Sequence, residues 1–178
     1  MIDEQTSRAY ELSARADMLA QRGELEQARA LMSEAARLDG TYSVRAELLG
    51  VADPRPVKVA SSVRKLLRPF LLEAGFQCNP LGLANGDGIF ERVRGTVTHS
   101  LLIGRHKLGG RLRVNAARYS DPSAVSYFDW RVTGIRTASL AYRTQRELEA
   151  VCGRWTQVLT QWVFPWLETG TDPGAPPR

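Results

Sequence analysis

Two prolines one residue apart, in Ala52-Asp53-Pro54-Arg55-Pro56, divide this chain of 178 residues into parts that cannot share one continuous element. Proline fixes φ and lacks the N–H that a helix or a central strand needs, so the run reads as a boundary. Before it, apolar residues recur at helical steps: Ala9, Leu12, Ala16 and Leu19, then Ala28, Leu31, Ala35 and Leu38. Gly23 stands between the two sets, where a helix C-terminus favours glycine, and Glu24 and Glu26 suit the positive end of a second helix. Residues 1–52 are therefore expected to form an antiparallel helical hairpin.

After the boundary the pattern changes. Val59, Val63, Leu66, Leu67, Phe70, Leu71 and Ala74 mark one face of a helix that Pro69 should bend or divide and that Gly75-Phe76 should stop. Extended segments are expected at Ile89 to Arg94, Thr96 to Gly104 and Arg111 to Tyr119, with a fourth from Val125 to Val132. Asn85-Gly86-Asp87-Gly88 and Lys107-Leu108-Gly109-Gly110 have turn and hairpin chemistry. Thr144 and Glu147 make a capping box ahead of a last helix carrying Leu148, Val151, Cys152, Trp155, Leu159, Trp162 and Trp166, with Pro165 near its end. This order predicts an α+β domain over residues 57–168: an antiparallel sheet of about four strands with helices packed on one face. The Pro- and Gly-rich tail, 169–178, is expected to be disordered.

Composition narrows the class. No apolar run approaches the roughly 20 residues of a membrane span, and the first residues lack the basic start and apolar run of a secretory signal. Only Cys78 and Cys152 are present, which points to free thiols in a reducing, cytoplasmic setting. Charge is uneven. Residues 1–56 carry seven Arg against ten acids, while 57–178 carry seventeen basic residues against nine. Nearly all the cations are Arg, a bias that GC-rich coding produces without functional demand.

Two resemblances follow from these residues. Leu12, Ala16, Gly23, Ala28, Ala35 and Leu38-Asp39 resemble one tetratricopeptide repeat, with Gly40 where that repeat usually has Pro. A single such unit cannot bury its apolar face alone, so docking on the following domain or on another chain is expected, with a homodimer through the hairpin as one form. Leu71, Gly75-Phe76, Phe90, Leu101 to Ile103, Gly109-Gly110, Val114-Asn115, Trp130-Arg131 and Pro165-Trp166-Leu167 resemble the bacterial family called domain of unknown function four-three-zero-four, over roughly 59–168. That resemblance implies a fold and no reaction. By analogy, small bacterial proteins of this kind serve other proteins as partners, toxin-neutralising immunity proteins among them.

Catalytic patterns are sparse. His99 and His106 have no third metal ligand beside them, and Ser100 points away from His99 if both lie on one strand. Glu91, Asp121 and Asp129 sit singly among arginines and read as ion-pair partners. The glycine-rich stretches lack Walker or dinucleotide spacing. No enzymatic activity, metal or cofactor is expected.

The remaining feature is basic. Arg92, Arg94, Arg105, Lys107, Arg111, Arg113 and Arg118 fall within 27 residues that contain no acid. Alternation along a strand places Arg111, Arg113 and Asn115 on one face and Leu112, Val114 and Ala116 on the core face. These seven residues are the expected contact set for a partner protein that is acidic at the contact. The alternative is nucleic acid, with arginines on phosphates and Tyr119, Tyr127 or Phe128 for stacking. A plain solvated strand face that discourages edge-to-edge aggregation competes with both. The expected function is a non-enzymatic protein-binding module, in its narrowest form an immunity or inhibitor protein acting on a bacterial toxin or effector.

Overall fold

The computed structural model describes residues 3–79, 88–105 and 110–171, so the turn at 80–87, the link at 106–109 with His106 and Lys107, and the tail from 172 lie outside the described residues. The fold is mixed α+β: N-terminal helices, then an antiparallel sheet, then C-terminal helices. Helices α1 (Glu4–Gln21) and α2 (Leu25–Leu38) form the hairpin, with the Asp3 carboxylate accepting from the Thr6 amide at 2.8 Å to start the first. Gly23 takes a φ of +83° at the turn. A short 3₁₀ turn, Gly40–Tyr42, leads into α3 (Ser43–Leu48).

The next helix runs from Val59 to Glu73 as α4 (Val59–Ser62), a π-helical turn (Val63–Leu67) and α5 (Arg68–Glu73). The last repeats the device: α6 (Gln145–Val158), a π turn (Leu159–Val163) and α7 (Phe164–Thr169). In each, a proline, Pro69 or Pro165, sits just after the π turn. Proline removes one amide and its ring clashes with the carbonyl four residues back, and a wider turn relieves that clash without breaking the helix. The two helices meet through these segments, Phe70 stacking on Phe164 with centroids 5.6 Å apart. Thr144 and Glu147 form the expected capping box.

Among the described residues the sheet has six strands. Strands β1 (Gln77–Asn79), β2 (Gly88–Arg94), β3 (Val97–Arg105), β4 (Arg111–Tyr119) and β5 (Val125–Tyr127) lie in sequence order, and β6 (Ser139–Ala141) pairs with the other end of β4. The expected fourth strand is shorter than its sequence pattern: it stops at Tyr127, and Trp130–Thr133 form a 3₁₀ turn begun by the Asp129 carboxylate. Strands β1 and β6, three residues each, carry too few alternating positions to register as strands in sequence. Phe90, Leu101, Ile103, Leu112, Val114 and Ala116 point to the helices, where Trp155 is fully buried and donates its indole N–H to the Leu112 carbonyl. Phe128, Trp130, Trp155 and Trp166 make edge-on contacts across this core.

The hairpin docks on its own domain. Its apolar cluster, with Ala9, Leu12, Ala16, Ala28, Met32 and Ala35, is completed by Tyr42, Leu49 and Ala141 of β6. Gly40 explains the departure from the repeat pattern: its amide donates to the Gly134 carbonyl at 2.8 Å, and a Cβ there would lie 3.0 Å from the same oxygen. Proline could do neither. Arg136 ties the same corner, donating to the Leu38 carbonyl and to Asp3 and Gln5.

At the opposite corner a charged group is sealed in. Arg45 donates twice to the Asp17 carboxylate, at 2.6 and 3.1 Å, and its Nε lies 3.7 Å from Glu147. Arg143 pairs with the same Asp17. Replacing Arg45 with Met leaves two buried carboxylates short of a counter-charge, and should lower stability by about 3–5 kcal/mol, a large share of the 5–15 kcal/mol ordinary for a domain. Joint replacement of Asp17 by Leu and Arg45 by Met should recover part of that loss. Urea midpoints for the three proteins check both statements.

Candidate partner-binding surface

Register divides the arginine-rich strands between two faces. Arg92 opposes His99, which opposes Arg118, and this row lies on the helix side with Phe90 and Leu101. Arg111 and Arg113 lie on the other side with Asn115, Leu102 and Ile89. The described residues of the basic set therefore do not form one surface, and Lys107 lies outside the described residues.

Arg92 is an internal group, with a side chain only 8% exposed. It donates to the His99 Nδ1 at 3.2 Å, to the Ala74 carbonyl at 2.7 Å and to Glu168 at 2.6 Å. The guanidinium also lies 4.5 Å from the Phe76 ring centroid and 5.4 Å from that of Phe164. It thereby joins the end of α5, strand β3 and α7, a positioning role in which each of the three guanidinium nitrogens already has an acceptor. Arg118 rests against Gly170, Arg94 beside Gly75, and Arg105 ends β3 opposite Leu112. Arg111 donates to the Tyr42 hydroxyl at 2.6 Å and stacks on its ring, clasping the hairpin to the sheet. Arg113 is exposed and holds the Asn115 side chain at 3.3 Å.

His99 is 1% exposed. Accepting from Arg92 requires a neutral ring with its proton on Nε2. Burial first, then the Arg92 charge, pushes its pKa below the ordinary 6.5; Arg118 and Arg94 act the same way and Glu168 opposes them. The three single carboxylates are also placed otherwise than expected. Glu91 accepts from the Tyr119 hydroxyl, Asp121 from Ser123, and Asp129 from the Arg131 amide; local hydrogen bonds, in place of ion pairs, satisfy them.

The face away from the helices carries Val93, Leu102 and Tyr127, exposed by 66%, 42% and 73%. Across the strands they line up in rows: Val93, Thr98, Tyr119 and Val125, then Glu91, Ser100, Ala117 and Tyr127, then Ile89, Leu102 and Asn115. Arg113 lies one row further along, beside Gly104 and Ser139. The face mixes exposed apolar and aromatic groups with Thr98, Ser100, Asn115 and Glu91, and Arg113 stands at one end. Of the three aromatics singled out in sequence, Tyr127 is free on this face, Tyr119 is tied to Glu91, and Phe128 is buried against Trp130 and Trp166. Sequence alternation places Val93 and Leu102 opposite the core positions; only the uncovered face makes them a surface.

Among the described residues no three His, Cys, Asp or Glu side chains come together as metal ligands, and no helix is long and apolar enough to cross a membrane. No disulfide joins the two cysteines, and burial drives the Cys152 thiol up to about 12, which keeps it protonated.

A depressed His99 pKa should make the stability of the fold depend on pH. With its pKa depressed in the folded chain, its stabilising contribution is complete above the ordinary value of 6.5 and is lost as pH falls through the folded-state value. A His99→Gln variant keeps an acceptor for Arg92 but does not titrate, so its stability should change less than wild type between pH 6.5 and about 5. Parallel curves from chemical denaturation would refute this. No family model, no curated protein and no solved structure matches the chain.

Proposed function

We propose that this chain is a non-enzymatic protein-binding module that receives its partner on the uncovered face of the sheet. The observation that carries the proposal is the sheet face that the helices leave open, on which Val93, Leu102 and Tyr127 are exposed in successive rows and Arg113 lies one row beyond Leu102. Exposed apolar groups on one face mark contact sites, and tyrosine and arginine are enriched where proteins meet. The partner is acidic opposite Arg113 and apolar opposite Tyr127. Inhibition of a bacterial toxin or effector, in the cytoplasm, is the narrowest form of the proposal, and it rests on the family resemblance.

The nucleic-acid alternative draws less support. A phosphate-tracking surface needs free cations in one plane, whereas Arg92 is enclosed, Arg111 is bound to Tyr42, and Glu91 sits on the same face as Arg113. The homodimer through the hairpin also loses support, because the hairpin's apolar face is already covered by its own domain.

The test is a retention experiment from the native host with wild type and an Arg113→Glu/Tyr127→Ala variant, followed by binding measurements on the protein lost from the variant. Loss of about 2 kcal/mol or more, roughly thirtyfold in affinity, with an unchanged unfolding midpoint is expected. Equal retention of every protein by both forms would count against the face. Salt-dependent capture of oligonucleotide by wild type would favour the alternative.

A further inference from the structure

A second, unrelated feature lies where the post-hairpin linker crosses the two long helices. A cavity of about 440 Å³ opens there, within the roughly 300–1,000 Å³ usual for small-molecule sites. Its lining includes Arg55 and Lys58 from the linker, Ser61, Ser62 and Lys65 from the helix that begins at Val59, and Gln145 from the first turn of α6.

The hydrogen-bonding capacity left in this cavity is one-sided. Glu149 is its only carboxylate, and that group is already engaged: Arg55 donates to both of its oxygens, at 3.0 and 3.1 Å, and the Gln145 amide donates to one at 3.0 Å. The Gln145 carbonyl accepts from the Lys58 backbone amide at 2.8 Å, and the same Gln145 amide nitrogen donates to the buried Ser62 hydroxyl at 2.9 Å. Ser62 thus has its proton left to donate. Among the described residues no carboxylate pairs with Lys58 or Lys65, while Arg55 is held by Asp53 as well as Glu149. What remains for a ligand is two ammonium groups and serine hydroxyls, against no free acceptor of charge. Pro56 and Leu66 supply an apolar wall.

The lysines themselves are a separate observation. The chain has 24 Lys and Arg together but only three lysines, Lys58, Lys65 and Lys107, and two of them line this one cavity. Lysine differs from arginine here as a compact point charge on a mobile stem, able to close on a small anion.

We infer that this cavity binds a compact phosphate-bearing small molecule, the phosphate held between Lys58 and Lys65 over Ser61 and Ser62, with any apolar body resting on Pro56 and Leu66. The site is independent of the sheet face. It stands or falls without the partner-binding proposal.

The full chain, ¹⁵N-labelled, is titrated at low salt with inorganic phosphate, pyrophosphate and phenyl phosphate, with phenol as the uncharged control. Saturable amide shifts confined to residues 55–66 and the start of α6 are expected for the phosphates and not for phenol. Tighter binding of phenyl phosphate than of inorganic phosphate identifies a phosphorylated organic ligand; equal binding identifies the free anion. Lys58→Ala/Lys65→Ala should weaken binding at least about tenfold with the unfolding midpoint unchanged, since both side chains are exposed. Lys58→Arg/Lys65→Arg should retain most of it, and Arg113→Glu all of it. Absence of saturation, or saturation equal in wild type and the double alanine variant, overturns the site.

Discussion

The buried charge group of Asp17, Arg45 and Glu147 is the constraint on which the arrangement of the two parts depends. It draws one residue from α1, one from α3 and one from the first turn of α6, and each is almost closed off from water. Ions so placed are stabilised only while their partners stay at hydrogen-bonding distance, so a small sliding of the hairpin would strand a charge in a medium that solvates it poorly. Apolar packing between Ala9, Ala16, Ala28 and Ala35 would tolerate such sliding. Glu147 has a second duty, because the carboxylate facing Arg45 also accepts from the Arg143 and Thr144 amides and so caps α6. One side chain thereby fixes where the last helix begins and where the hairpin rests.

The sheet shows a related division of labour. On the helix side, Arg92 sits between Phe76 and Phe164 with donors used on His99, Ala74 and Glu168, and it fastens three elements. On the other side, Arg111 clasps Tyr42 and Arg113 stands in solvent. Three arginines of one sequence cluster thus do different work: internal fastening, docking of the hairpin, and presentation of charge on an open face. Density of charge along the chain is a poor guide to density of charge in space, since neighbouring strand residues point in opposite directions.

Both binding proposals use what the folded core leaves open. The open sheet face pairs exposed apolar groups with the exposed Arg113, a chemistry suited to another protein surface. The linker cavity pairs unused donors with an apolar wall, a chemistry suited to a small anion. They occupy different surfaces, built from strands in one case and from the linker and helix starts in the other.

Much of the fold was legible in the chain because local chemistry specified it. Spacing of Ala9 to Leu38 around Gly23 gave the hairpin, Pro54 and Pro56 the break between α3 and α4, and Thr144 with Glu147 the start of the last helix; each of these depends on residues a few positions apart. The long central strands were visible through alternation, whereas β1 and β6 became strands only because β2 and β4 offered edges to pair with. Whether an arginine is a surface group or a core fastener depends on which helix covers its face, and no local pattern carries that information. The same holds for His99, for Gly40 against Gly134, and for the lysine-lined cavity. Sequence by itself determined the long helices, the central strands and their order; tertiary structure alone decided which short segments pair as strands and which charged side chains are enclosed or remain for a partner, because both depend on segments far apart in the chain coming together.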